Sequence, residues 1–478
     1  MIRNASEGVI GVSGRNPHYF SYKGKEILLI TSAEHYGAVV NAKFDYVKYL
    51  DKLAEYGLNY TRIYPGALIE KAGSWADEDI LAPGNDVIVP WARSEEDGYI
   101  CGGAKFDLGK WDAAFFTRLR DFIEQAGKRG VIVEICFFNA QSGGCWSYSP
   151  LYHSNNIQKV GNCPPETFQS LDNQPLLDAQ LAYVGKIISE TNEYDNVIYE
   201  FCDEPTIGQG NSRKAYEWID RLVDYSIAAE NRLPKKHLLA QQLEYGVNFA
   251  DDDRVGLIVT QYVTTKNCQV GSLDGLNNTY YCNKPIELNE TAYIPNWIPK
   301  ESEELKIALS RLESWEFMVG GGAGFNQLNG YFVPSNPSGE NATNNILLQN
   351  LRNLRTFLEG FDYVKMVRDF WTVRKTDIGA GVSAMFEKGK QYAIYMHHSF
   401  PAYTSTFGFG TWYWPSYGPF NTKLTIGIEK GRYKLTFIEP ETLNVLEERD
   451  IESAGEDKDM EITCPTYNLD IAVKIVAV

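Results

Sequence analysis

The sequence predicts an α/β protein, a (β/α)8 TIM barrel followed by a small all-β sandwich. Three observations carry that expectation. Strand-like and helix-like segments alternate up to about residue 330, as in a parallel sheet with helices on its outside. After about residue 370 the pattern changes to short alternating runs joined by turns such as Glu387-Lys-Gly-Lys390 and Glu429-Lys-Gly-Arg432. Two of the earlier strand-like runs end on a carboxylate, Glu204 and Glu290, where a strand gives way to a polar loop. Barrels place their reactive groups at such strand ends.

Element by element, Ile27–Thr31 is a short apolar run leading into Glu34 and His35, and Phe44–Tyr56 has helical spacing that stops at Gly57. Leu58–Tyr64 reads as the second strand. Trp111–Arg129 is an amphipathic helix ending at Gly130, before the strand Val131–Phe138. Helix Leu176–Thr191 precedes strand Asn196–Cys202, and helix Ser212–Glu230 precedes strands Leu238–Gln242 and Gly256–Tyr262. Strand Pro285–Asn289, helix Glu303–Val319 and the glycine-rich Gly320–Gln327 complete eight units. No Gly-x-Gly-x-x-Gly follows an early strand, which disfavours an open dinucleotide-binding sheet, and Gly320-Gly-Gly322 lacks the Gly-Lys-Ser/Thr ending of a phosphate loop. Val382–Phe386, Gln391–His397, Thr422–Ile428, Tyr433–Glu439 and Leu469–Val476 form the sandwich, giving a barrel over 1–368 and a second domain over 369–478. The aromatic stretch Pro401–Phe420 reads first as packing between the two domains, and second as a platform for a ligand.

Composition narrows the function. At 478 residues the chain exceeds one ordinary core, and 44% hydrophobic content suits a globular protein. A net charge of −17 argues against nucleic acid as a partner. No apolar run of about 18 residues predicts a membrane span, and the N-terminus lacks a signal-peptide core, so either the protein stays inside the cell or a leader has been removed. Neither a metal site nor a cofactor is expected, since Cys-x-x-Cys and His/Cys clusters are missing. Cys145 with Cys163, and Cys268 with Cys282, each bracket a loop and are candidate local disulfides. Oligomeric state is not legible.

Two carboxylates facing each other across a cleft are what hydrolysis of a glycosidic bond needs. Glu204 ends the fourth strand and Glu290 the seventh, on opposite sides of a barrel rim. The period of two puts Glu200, Cys202 and Glu204 on one face, so buried Glu200 needs a cation, and Arg62 at the end of the second strand is its natural partner. Glu287, out of phase with Glu290, is expected to face the helix layer or another subunit. Glu34, His35, Asn139 and Glu244 lie at strand ends and are candidate substrate contacts. Trp146, in the loop after the third strand, is a candidate stacking wall for a sugar ring.

Asp203-Glu204-Pro205 resembles the Asn-Glu-Pro signature of clan A glycoside hydrolases, the cellulase and mannanase superfamily, and Lys284-Pro-Ile-Glu-Leu-Asn-Glu290 is similar to that clan's nucleophile strand. The likeness spans roughly residues 20 to 360, and Gly431-Arg-Tyr-Lys with Ile438-Glu-Pro-Glu-Thr resembles the sandwich appended to several such bacterial enzymes. The resemblance implies Glu204 as acid/base, Glu290 as nucleophile, a retaining mechanism, and a carboxyl separation of about 5–5.5 Å. It also implies that Arg62 and Tyr262 support Glu290. The clan has Asn where this chain has Asp203, and an ionised Asp only accepts hydrogen bonds. Asp203 is therefore expected either to accept from a sugar 2-hydroxyl or to tune Glu204. The implied substrate is a poly- or oligosaccharide of β-glucan or mannan type. A non-catalytic carbohydrate-binding protein on the same scaffold is the alternative, disfavoured by the presence of both acids. A metal-dependent barrel hydrolase is disfavoured by only six His, none paired on successive strand ends.

Overall fold

The computed structural model describes residues 2–35, 37–70, 86–205, 211–261, 272–294, 302–403 and 411–478. Eight parallel strands form one sheet: β1 (Leu29–Ala33), β2 (Tyr60–Ile63), β3 (Ile132–Asn139), β4 (Val197–Asp203), β5 (Leu238–Gln242), β6 (Leu257–Thr260), β7 (Ile286–Ile294) and β8 (Gly324–Asn329). They follow one another from β2 round to β8, which pairs with β1. At the remaining seam between β1 and β2, Asn59 replaces a ladder. Its backbone N–H donates to Ile30 O at 3.3 Å, its side-chain oxygen accepts from Ile30 N at 3.1 Å, and its side-chain amide donates to Leu28 O at 2.8 Å.

The outer layer comprises α1 (Tyr46–Glu55), α2 (Ala113–Lys128), α3 (Gln174–Thr191), α4 (Ser212–Glu230), α5 (Leu273–Thr279), α6 (Glu303–Val319) and α7 (Ala342–Glu359). Their N-termini follow sequence rules: Asp45, Asp112, Asn173, Asn211, Ser302 and Asn341 each cap a first-turn N–H with a side-chain oxygen. Most barrel elements start within two residues of the expected positions, and β8 starts four residues after Gly320. Ile27, however, belongs to a separate three-stranded antiparallel sheet with Gly11–Val12 and Phe20–Tyr22, so β1 begins only at Leu29. Trp111, expected to start a helix, ends the hairpin strand Ala104–Trp111, which pairs with Trp91–Asp97.

The C-terminal part is a sandwich of antiparallel sheets. One has six strands, from Val367–Arg368 through Gly381–Glu387, Gln391–His397, Asp470–Ala477 and Gly431–Ile438 to Val445–Ser453. Facing it are Val373–Thr376, Lys423–Ile426 and Met460–Thr463, and Ile394, Leu424, Phe437, Ile462 and Val473 fill the space between. Within the aromatic stretch, Ser399–Tyr403 pairs with Thr411–Pro415 as a hairpin. The Tyr413 hydroxyl bonds the Glu316 carboxylate and accepts from Ser272 N at 2.9 Å, so this ring ties the hairpin to the barrel.

The sandwich is anchored on α6. Trp315 is fully buried and meets Phe357 of α7 at 5.1 Å and Tyr395 of the sandwich at 5.5 Å between ring centroids. Arg311 donates to both Asp470 oxygens at 2.8 and 3.1 Å, and His397 lies 3.0 Å from Glu316. Cys145 and Cys163 are both free thiols, so the expected bridge is not formed; Cys268 lies outside the described residues. Among the described residues no helix is long and apolar enough to cross a membrane. Because Trp315 fills the junction of barrel and sandwich, Trp315→Ala is expected to cost about 3–5 kcal/mol in urea unfolding. A loss under about 1 kcal/mol would show that the junction contributes little.

Candidate active site

Arg62, at the C-terminal end of β2, organises the barrel mouth. It is 1% exposed, and its Nε and one terminal nitrogen reach Glu200 Oε2 at 2.7 and 2.6 Å. Its other terminal nitrogen donates to Glu290 Oε1 at 2.6 Å, and a third contact joins Asp203 Oδ1 at 3.1 Å. One guanidinium thus gathers carboxylates from β4 and β7. The Tyr64 hydroxyl, two residues further along the same chain, donates to Glu290 Oε1 at 3.2 Å.

Asp203 is fully buried and its oxygens face three donors. Besides Arg62, Gln261 Nε2 donates to Oδ1 at 2.7 Å and Asn139 Nδ2 donates to Oδ2 at 2.6 Å. Gln261 accepts in turn from Gln242 at 3.0 Å, and Gln242 Oε1 accepts the backbone N–H of Glu204 at 2.6 Å. Asp203 therefore sits at the centre of a closed polar network. Both of its oxygens are thus engaged by side-chain donors of the protein.

Both candidate acids have left-handed backbones, with φ of 46° at Glu204 and 59° at Glu290. Such conformations cost a non-glycine residue about 1–3 kcal/mol and collect at functional sites. At Glu290 the cause is visible, because the β7–β8 register shifts between Leu288 and Thr291. A bulge there re-aims the side chain.

That bulge also corrects the expectation for Glu287. Its carboxylate accepts from the Tyr60 hydroxyl at 2.8 Å and is fully buried, on the same side of the barrel wall as the Arg62–Glu290 contact. The strict period of two fails across residues 287–290, so both carboxylates face the interior. It fails on β4 too, where Glu200 and Asp203, three apart, both reach Arg62. Cys202, expected beside Glu200, instead accepts from Gln169 at 3.0 Å.

The remaining candidates separate. His35 lies 2.6 Å from Glu70 and, despite burial, is raised by the charges of Glu70, Glu290 and Glu34. Glu34 accepts from the N–H groups of Gly37 and Ala38 at 2.7 and 3.1 Å, so its carboxylate builds the turn after β1. Glu244 follows β5 in a two-way backbone bridge with Val247. Trp146 is 3% exposed; its indole N–H donates to Cys163 O and its ring packs on Phe168 and Tyr152. It is part of the loop's own core rather than an open stacking wall, because a large ring with a satisfied N–H is most stable buried. Tyr262 lies outside the described residues. Tyr64, Gln242, Gln261 and Glu70 were missed. Only Tyr64 carried a signal, standing two residues from Arg62 on one strand face.

Several interior carboxyls hold protons tightly. Burial, opposed by Arg62 and reinforced by Glu134 and Asp203, pushes Glu200 up to about 8. Burial pushes Glu287 up to about 7, against the Tyr60 hydrogen bond, and Glu34 to about 7, against its backbone N–H partners. Glu134, also bonded to Tyr60, is held well above the carboxylate range by burial and by Glu287. Burial raises Glu290 to about 8 with His35 pulling it back, while the Arg62 and Tyr64 donors stabilise its anion.

Sequence comparison is silent: no family profile and no curated protein matches the chain. Structural comparison is not. A Bacteroides vulgatus protein provisionally assigned as a glycoside hydrolase superposes with a TM-score of 0.64 at 12% identity, covering 99% of this chain and 83% of that one. A second Bacteroides vulgatus chain, a glycoside hydrolase of family 5, gives 0.60 at 12% identity over 98% and 94%. A family 5 mannosidase from Rhizomucor miehei gives 0.51 at 12% identity over 74% and 99%. The chain shares the fold of these glycoside hydrolases. At these identities the likeness establishes architecture, and the chemistry rests on the site itself.

Because folding raises the pKa of Glu34, Glu287 and Glu200, the folded state binds protons that the unfolded chain releases. That stabilisation is complete below the unfolded carboxylate pKa of about 4.3 and is lost as pH rises through 7 to 8. Urea unfolding of wild type and Glu287→Gln between pH 5 and 8.5 should show wild-type stability falling with pH and the variant falling less. A parallel dependence in both would remove Glu287 as a contributor.

Proposed function

We propose that this protein is a retaining glycoside hydrolase acting on β-linked poly- or oligosaccharides of β-glucan or mannan type. The observation that carries the reading is the pair Glu204 and Glu290. Glu204 directly follows β4 and Glu290 stands at the bulge within β7, both in a strained left-handed conformation, and the Arg62 that binds Glu290 also binds Asp203, the chain neighbour of Glu204. The fold shared with family 5 enzymes supports it.

In this mechanism Glu204 protonates the glycosidic oxygen while the Glu290 carboxylate attacks the anomeric carbon, forming a glycosyl ester. Glu204, now a base, takes a proton from water, which displaces Glu290 with net retention. The nucleophile must enter this cycle ionised. Arg62 and Tyr64 meet that need by donating to Oε1, since hydrogen bonds to the charged form favour it. Asp203 holds Arg62 in place and, through Gln261 and Gln242, is connected to the backbone N–H of Glu204. Asp203 and Asn139 are positioning residues in this reading, and His35 contributes positive charge near Glu290.

A screen of β-glucans, mannans and galactans with wild type and Glu290→Gln in parallel tests the assignment. Wild type should hydrolyse at least one polymer, Glu290→Gln none, and Glu204→Gln should lose about 10²–10⁴-fold. Freshly released sugar should carry the β-anomer by NMR. Since attack needs the Glu290 anion and burial raises its pKa, the acidic limb of kcat/KM should lie above the ordinary carboxylate value of about 4.3. Full activity in Glu290→Gln, or inversion, overturns the reading. Failure of the wild type on every polymer would favour the non-catalytic binding alternative.

A further inference from the structure

A cleft whose lining includes no residue of the Arg62 network lies between α6 and the sandwich. It has a volume of about 500 Å³, within the range of about 300–1,000 Å³ typical of small-ligand sites. One wall is a single helix face: Glu304, Ile307, Ala308 and Arg311 stand at i, i+3, i+4 and i+7 of α6. Tyr417 and Leu446 of the sandwich line it as well, and Asn468 adds an amide to the lining. Tyr417 is 53% exposed, although the aromatic rings around it, such as Tyr413 and Tyr467, are buried.

The cleft's charges select its occupant. It has one guanidinium, Arg311, against the carboxylates of Glu304, Glu439, Glu441 and Asp470. Arg311 is itself engaged, reaching Asp470 at 2.8 and 3.1 Å and Glu441 at 3.5 Å. Phosphates, sulfates and acidic sugars would meet net negative charge there, so the lining disfavours anions. Carboxylates and an amide suit hydroxyl donors, and an accessible phenol ring suits the apolar face of a pyranose.

We propose that this cleft is a second carbohydrate-binding site, taking a short stretch of neutral glycan that stacks on Tyr417 and hydrogen-bonds to Glu304, Glu441 and Asn468. Its position fits that role. The helix α6 follows β7, the strand that carries Glu290, so its first turns start on the catalytic face of the barrel. A polymer held there would be kept close to the cleft in which it is cut. The substrate class rests on the glycosidase reading above, whereas the saccharide site has its own residues and its own test.

The test is calorimetric titration of full-length Glu290→Gln with mannohexaose and cellohexaose, with and without Tyr417→Ala. The expected result is a binding event that weakens at least about tenfold in Tyr417→Ala and likewise in Asn468→Ala. In the wild-type background Tyr417→Ala should raise KM for the polymer and leave turnover of a small aryl glycoside unchanged. Unchanged hexaose binding in both variants, with circular dichroism matching wild type, overturns the site. So does binding of oligolysine in place of either hexaose, which would mark a site for basic peptides. Hydrolysis without any Tyr417-dependent binding removes this site and leaves the glycosidase reading standing. Tyr417-dependent binding without hydrolysis does the reverse.

Discussion

A single buried cation sets the form of the barrel mouth. Arg62 lies among Glu200, Asp203 and Glu290 and pairs with all three. Removing a charge from water costs several kcal/mol, a cost offset only by close, well-aligned partners. The guanidinium fork meets that condition by directing separate nitrogens at separate carboxylates. The same geometry leaves more negative than positive valence at the centre. Burial then drives Glu200 toward its neutral form, with the nearby Glu134 and Asp203 charges pushing the same way.

Strain and polar satisfaction support each other around this cation. The left-handed backbones of Glu204 and Glu290 persist because their neighbours are fixed on all sides: Gln242 holds the Glu204 N–H, and the β7 bulge is locked between Arg62 and Tyr64. Asn139 and Gln261 join Arg62 in donating to Asp203, and Gln242, by donating to Gln261, extends that network to the end of β5. Below this layer Tyr60 joins Glu134 and Glu287, so carboxyl pairs continue into the barrel interior.

Much of this architecture was legible in the sequence because it follows simple periods. Helices α4 and α6 have the bounds that their amphipathic spacing and flanking residues imply, and seven of the barrel strands overlap the apolar runs that announce them. Helix α7 was not legible, since Asn344, Asn350 and Asn353 occupy buried positions that a pattern reader expects to be apolar. The hairpin strand Trp91–Asp97 lacks an apolar run for another reason: its charged residues are half-buried or exposed. At the site, Arg62, Asp203, Asn139 and Glu290 were found from strand ends, and the structure brings them into one network. Alternation failed where a bulge intervened, which misplaced Glu287. Trp146 looked like a sugar platform, but only tertiary packing reveals that Phe168 and Tyr152 cover it.

The central claim is that the Glu290 carboxylate, held by Arg62, forms the bond to sugar. Its most direct measurement is intact-protein and peptide mass spectrometry after incubation with 2-deoxy-2-fluoro glycosides of glucose and mannose, which slow breakdown of a glycosyl ester. The account predicts one added sugar, mapped to Glu290 within the Ile286–Ile294 strand, and no label on Glu204. A label on another residue, or undiminished turnover with no label at all, would contradict it.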